Sequence, residues 1–197
     1  MDEEAVVSAE DSVKRSVALR STHRRVFVAL TTTHIMYPTN EQEALAALKG
    51  NDPELAATAE AFLWREWCRS GDPETDRAFR AGVEAMQRQQ LADAEALFGR
   101  VIELNPGFAE GWNKRATVRF LSRDFRGAIA DCRETLARNA KHFGAASGEG
   151  LCHMSLNEFP EAAVCFRRAL DIHPHLDAVR CNLALAEAEG GGSGYLN

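Results

Sequence analysis

Residues 75–108 read TDRAFRAGVEAMQRQQLADAEALFGRVIELNPGF, residues 109–142 read AEGWNKRATVRFLSRDFRGAIADCRETLARNAKH, and residues 143–176 read FGAASGEGLCHMSLNEFPEAAVCFRRALDIHPHL. The three segments are equal in length and align without a gap. Position 8 is Gly82, Ala116 or Gly150, and position 20 is Ala94, Ala128 or Ala162. Position 17 is Leu91, Phe125 or Phe159, position 24 is Phe98, Cys132 or Phe166, and position 28 is Ile102, Leu136 or Leu170. Position 32 is Pro106, Ala140 or Pro174, and Trp112 stands at position 4 between Ala78 and Ala146.

The spacing predicts two helices of about 14 residues in each segment, joined by short turns. A small residue at position 8 lets the second helix approach closely, and the alanine at position 20 lies at the same crossing. The large residue at position 24 is expected to fill the space between neighbouring repeats. Asn105-Pro106 and His173-Pro174 stop the second helix, because proline cannot continue a helix and biases the residue before it away from the α region. The turns within each segment are polar: Gln89-Gln90, Arg123-Asp124 and Asn157-Glu158.

These offsets resemble the tetratricopeptide repeat, whose signature places Trp, Leu-Gly, Tyr, Ala, Phe, Ala and Pro along a segment of this length. The resemblance implies an all-α, right-handed solenoid of three helix-turn-helix repeats, 75–108, 109–142 and 143–176, with a helical cap at each end. Ala85, Arg119 and His153 replace the family's tyrosine at position 11, and the middle copy lacks the terminal proline. By the same resemblance, positions 2, 5, 9, 12 and 13 face a concave groove. They are Asp76, Phe79, Val83, Met86 and Gln87, then Glu110, Asn113, Thr117, Phe120 and Leu121, then Gly144, Ser147, Leu151, Met154 and Ser155. Cys181 and Leu185 follow from the C-terminal cap. The expected peptide-binding set is Phe79, Val83, Met86, Asn113, Thr117, Phe120, Ser147, Leu151 and Met154, flanked by the charges of Arg80 and Lys114. Such a mostly apolar groove suits an apolar peptide or an amphipathic helix. The same residues could instead pack between helices or be covered by the chain's own terminal segments. The carboxylate clamp of chaperone-binding relatives needs Lys and Asn where this chain has Phe79 and Val83, Asn where it has Lys114, and Lys and Arg where it has Gly144 and Gly148. Capture of a chaperone's C-terminal carboxylate is therefore not expected.

Outward from the array, Asp177 is expected to cap a helix through Glu189, with Leu176, Val179, Leu183 and Ala186 on one side. Residues 190–197 have the composition of a flexible Gly-rich tail. Upstream, residues 24–71 read as an N-terminal helical cap on the first repeat. Asp52-Pro53-Glu54 starts a helix carrying Leu55, Ala59, Phe62, Leu63 and Trp67 and ending at Gly71; a shorter one runs over 41–49 with Leu45 and Leu48 inward. Together with Leu63-Trp64-Arg65-Glu66-Trp67, the stretches Ser70-Gly71-Asp72-Pro73, 107–117 and 141–145 resemble a small tetratricopeptide subfamily of bacteria with relatives in photosynthetic eukaryotes. That resemblance spans about residues 24–189 and implies a binding scaffold. Residues 1–23 read as a disordered or targeting leader. Residues 1–11 hold five acids and no base, and residues 12–40 hold five bases and no acid. The basic stretch suits an organellar transit peptide and the acidic opening does not, so the expectation is a cytoplasmic protein, with chloroplast or mitochondrion as the alternative.

The chain has 197 residues, a formal net charge of −6, and 45% hydrophobic against 26% charged residues, as a folded protein does. No run of about 18 apolar residues occurs, which argues against a spanning helix. Five cysteines in no paired spacing point to free thiols. Cys152-His153 and His173-Pro174-His175 do not supply the four converging ligands of a structural zinc, so no metal and no cofactor are expected. No phosphate loop, Gly-x-Ser-x-Gly or His-Glu-x-x-His occurs, and an enzyme is not expected. The expected function is non-catalytic protein–protein interaction through the groove. Two alternatives are an oligomeric assembly factor acting through its caps or convex face, and RNA association through Arg65, Arg69, Arg77, Arg80 and Arg88. The acidic balance speaks against nucleic acid.

Overall fold

The computed structural model describes residues 37–192, and among these the chain is entirely helical, without strands. The leader therefore lies outside the described residues, as do the first residues assigned to the N-terminal cap and the end of the glycine tail. Three antiparallel pairs form the array: α3 (Pro73–Gln87) with α4 (Leu91–Leu104), α5 (Ala109–Leu121) with α6 (Phe125–Arg138), and α7 (Phe143–Ser155) with α8 (Phe159–Ile172). They are preceded by α1 (Glu41–Ala47) and α2 (Pro53–Trp67) and followed by α9 (Asp177–Gly192). The pairs stack as a right-handed α-solenoid.

Each pair is held at its crossing. A Cβ built on Gly82 would lie 2.8 Å from the ring of Phe98, and one on Gly150 would lie 2.6 Å from Phe166. Position 24 therefore packs against position 8 of its own repeat, where the sequence suggested a spacer between neighbours. The middle repeat solves the same crossing with two medium residues, Ala116 and Cys132, both buried. Ala94, Ala128 and Ala162 are fully buried beside these crossings. In every within-repeat turn the residue at position 15 takes a left-handed conformation, with φ of 59° at Gln89, 65° at Arg123 and 58° at Asn157. The amides of Gln90, Asp124 and Glu158 then reach back to the carbonyls of Ala85, Arg119 and His153, capping the end of the first helix.

The termini differ from expectation in two ways. Helix α9 buries Val179 and Ala186 against α8, with Leu176 and Leu183 beside them, but it continues through Gly190 to Gly192, so the first glycines of the tail are helical. Helices α1 and α2 do not simply stack under the first repeat. Leu48, Ala59 and Leu63 share one core with Phe143 and Ile172 of the third repeat, flanked by Trp64, Trp67 and Leu176. Helix α2 ends at Trp67, and Gly71 (φ 78°) turns the connecting loop into α3 rather than ending the helix itself. Asn40 caps α1 by accepting from the amide of Glu43, whose carboxylate accepts from the Thr39 amide, and Asp52 caps α2 by accepting from the amides of Glu54 and Leu55.

Gly82→Ala and Gly150→Ala should each cost about 1–3 kcal/mol in urea unfolding, because the added methyl has no room beside the ring. Arg123→Gly should raise stability by about 0.5–1 kcal/mol, since glycine relieves the left-handed turn and the arginine side chain is exposed.

Candidate functional site

The concave face is built from α3, α5 and α7, and α2 covers part of it. Trp64 lies edge-on to Phe143, with ring centroids 5.2 Å apart, and Trp67 stacks on His142 at 4.8 Å. A Cβ on Gly144 would meet the Trp64 ring at 2.6 Å, so a glycine at this groove position is what admits the indole. Under α2 sits a buried polar network. Glu110 and His142 are both fully buried. The Glu110 carboxylate accepts from His142 Nε2 at 2.8 Å and from the Asn113 side-chain amide at 3.0 Å, and pairs with Lys114 Nζ at 3.1 Å. His142 Nδ1 accepts from the amide of Ala145, which places the imidazole proton on Nε2 and aims it at Glu110. Burial pushes the Glu110 carboxyl upward, but the His142 hydrogen bond and the Lys114 charge outweigh it and hold it below the ordinary range.

Two stretches of the concave face remain open. Between α5 and α7 a shallow apolar depression of about 120 Å³ is lined by Asn113, Thr117, Phe120, Gly148 and Leu151, with Cys132 and Cys152 at its floor. Between α3 and α5 a wider hollow of about 600 Å³ is lined by Phe79, Arg80, Val83, Gln87 and Lys114, with Cys68 and Arg69 from the end of α2. The remaining expected groove residues lie elsewhere. Met86 packs against the core of the first repeat and Met154 against that formed with α8 and α9. The Ser147 hydroxyl donates to the Gly144 carbonyl. Phe79 reaches the hollow but is only 6% exposed, its ring edge-on to Phe98 and Phe108, so it is chiefly a core residue. Asn113 is equally buried, with its amide nitrogen committed to Glu110, and Lys114 is paired with the same carboxylate. Arg80 is exposed and has no ion-pair partner among the described residues.

Sequence reasoning missed Trp64, Trp67 and His142 as the residues that shape this face. A signal existed: two tryptophans three apart on one helix, outside the repeat, too large and apolar to be left on a solvated face. The cysteines are free. Burial pushes the Cys68 thiol up to about 11 and the Cys152 and Cys165 thiols up to about 12, so none of these three is a ready thiolate. Among the described residues no helix is long and apolar enough to cross a membrane.

A family profile described as tetratricopeptide repeat matches residues 79–132 and 113–177, together half of the chain. A TPR repeat-containing protein of Rhizobium etli is 28% identical over 123 residues, 62% of this chain, and the chain spans about 60% of that relative's length. Among solved structures, the Arabidopsis OM64 TPR domain superposes with a TM-score of 0.57 at 23% identity, over 58% of this chain and 95% of that one. The first TPR of Spaghetti (RPAP3), solved bound to an HSP90 peptide, gives 0.58 at 19% identity over 59% and 93%. MamA gives 0.57 at 17% identity over 77% and 82%. At these identities the structural likeness is one of fold. Folds of this kind commonly mediate protein–protein interaction. The unbroken register of the three segments, the stacked helix pairs and the profile match agree, and the chain belongs to the tetratricopeptide repeat family.

Proposed function

We propose that this protein is a non-catalytic interaction scaffold that binds a peptide segment along the open strip of its concave face, beside α2. The observation that carries this reading is the pair of hollows, one apolar and one rimmed by Arg69 and Arg80 together with Asp76 and Glu84, arranged in order along α3, α5 and α7. Helix α2 acts as a side wall, with Trp64 and Trp67 over Phe143, His142 and Gly144. The fitting ligand places apolar side chains between α5 and α7 and an acidic side chain toward Arg80. Chaperone tails are a poor fit, because Phe79 and Val83 stand where the clamp needs Lys and Asn, and Gly144 is already taken by Trp64.

Phe79 is unsuitable as a test position, since a charge there would disrupt the core. Val83 is half-buried and Leu151 is exposed, and both line the strip. Peptides selected from a displayed random library on the wild-type protein should bind Val83→Glu and Leu151→Glu at least tenfold more weakly, with helical circular dichroism unchanged. Val164→Glu, on an exposed site away from the strip, should bind as wild type does. Wild-type binding by both strip variants would sink the reading.

The side wall depends on an ionised Glu110. Because its folded-state pKa lies below the unfolded value of about 4.3, the stabilisation is present above that value and is lost as pH falls through the folded pKa. Amide exchange in α2 should therefore accelerate in acid before that of α5 to α8. Glu110→Gln, which leaves Lys114 without its partner, should bring the fast exchange to neutral pH.

A further inference from the structure

Positions 7, 11 and 23 of each repeat meet in one slot on the side of the first helix that faces away from the groove. In the first repeat the slot holds Ala81, Ala85 and Leu97. In the second it holds Arg115, Arg119 and Asp131, which satisfy one another: Arg115 forks onto Asp131 at 2.9 and 2.8 Å, and Arg119 reaches it at 3.0 Å. In the third it holds Glu149, His153 and Cys165, whose ligand atoms all lie within 4.8 Å of one another. This third slot brings together three electron-rich donors, and among the described residues the one cation paired with any of them is Arg133, which approaches Glu149 from the rim.

We propose that Glu149, His153 and Cys165 bind a soft divalent transition metal, Zn²⁺ foremost. Glu149 and His153 are one helical turn apart on α7, and Cys165 comes from α8. His153 Nδ1 lies 2.7 Å from a Glu158 carboxylate oxygen, so Nδ1 donates there and Nε2 turns toward Glu149, 3.9 Å away. A ring nitrogen lone pair facing a carboxylate and a thiol calls for a positive charge between them. A carboxylate on the far ring nitrogen is also the outer support that metal-bound histidines use. Arg133 holds Glu149 Oε1, the oxygen nearer His153 Nε2, at 2.7 Å, so Oε2 is the oxygen proposed to ligate. The three donors are largely buried, at 6%, 4% and 9% exposure, yet they line a cleft of about 290 Å³ that opens to solvent. That cleft leaves room for a water as fourth ligand. Zn²⁺ bonds to such donors run to about 2.0–2.3 Å, and donor atoms that share a tetrahedral ion lie a few ångströms apart, as these do. Imidazole and thiolate together select Zn²⁺ over Mg²⁺ or Ca²⁺. On binding, the Cys165 thiol releases its proton to solvent, so one carboxylate and one thiolate neutralise the ion. Arg133 and Arg168 share the rim of the cleft with Glu161, which offsets part of their charge. The site does not depend on the groove reading, because it lies on the opposite side of α7.

The test is a Co²⁺ and Zn²⁺ titration of the full chain under reducing conditions. One equivalent of Co²⁺ should bind with a near-ultraviolet thiolate-to-cobalt band. Cys165→Ser should abolish that band, His153→Gln should weaken binding at least tenfold, and Glu158→Gln should weaken it by about 10–100-fold. Cys181→Ser, which changes an exposed thiol elsewhere, should leave it intact. In the unmodified protein, Zn²⁺ should slow alkylation of Cys165, read by peptide mass spectrometry, and spare Cys181. No stoichiometric binding, a cobalt band that survives Cys165→Ser, or equal Cys165 alkylation with and without Zn²⁺ would each overturn the proposal.

Discussion

The close contact inside each repeat, a residue without bulk at position 8 against the side chain at position 24, is the constraint on which the rest of the structure depends. With no side chain on Gly82 and Gly150, the rings of Phe98 and Phe166 lie directly on the opposing helix backbone. That contact brings the two helices of a repeat together, and the pairs can then stack with alanines at the seams. Everything on the concave face follows, because the spacing of α3, α5 and α7 is the spacing of the pairs. The middle repeat meets the same crossing with a smaller pair, Ala116 and Cys132, and both line the apolar depression between α5 and α7.

Features of this kind are local and periodic, and they were legible in the sequence. Helix pairs, turns and the apolar side of α9 all follow from spacing that recurs from one segment to the next. The position of α2 was not legible. Its docking relies on Trp64 and Trp67 meeting His142 and Phe143, two full repeats further along the chain, and no periodicity carries that pairing. The groove was legible in part for the same reason. Offsets placed Val83, Thr117, Phe120 and Leu151 on the inner helices, where they line the hollows. Offsets could not tell that Met86 and Met154 turn into the cores, nor that Asn113 and Lys114 are held by a buried Glu110.

Departures from the repeat pattern mark where this chain has acquired its own chemistry. Position 11 carries alanine, arginine and histidine in turn, and each finds a different solution in the same three-dimensional slot. Arg119 ties α5 to the preceding repeat through Glu95 at 2.8 Å, while His153 ties α7 to the turn before α8 through Glu158. In the second and third repeats the residue that breaks the consensus is thus a connector and a source of local polarity, whereas Ala85 simply packs in the core.

Contact between the two ends of the array has a consequence for how the molecule folds. A stack of repeats linked only to its neighbours behaves as a one-dimensional chain of units, and its terminal helices can fray independently. Here His175 Nε2 meets the carbonyl of Gly50 at 2.7 Å, and Glu60 reaches His173 across 113 positions of sequence. Opening α8 and α9 therefore also strips α1 and α2 of their partners. Such closure raises the mean sequence separation of contacts, slows the search for the native state, and ties the fraying of the last helices to that of the first.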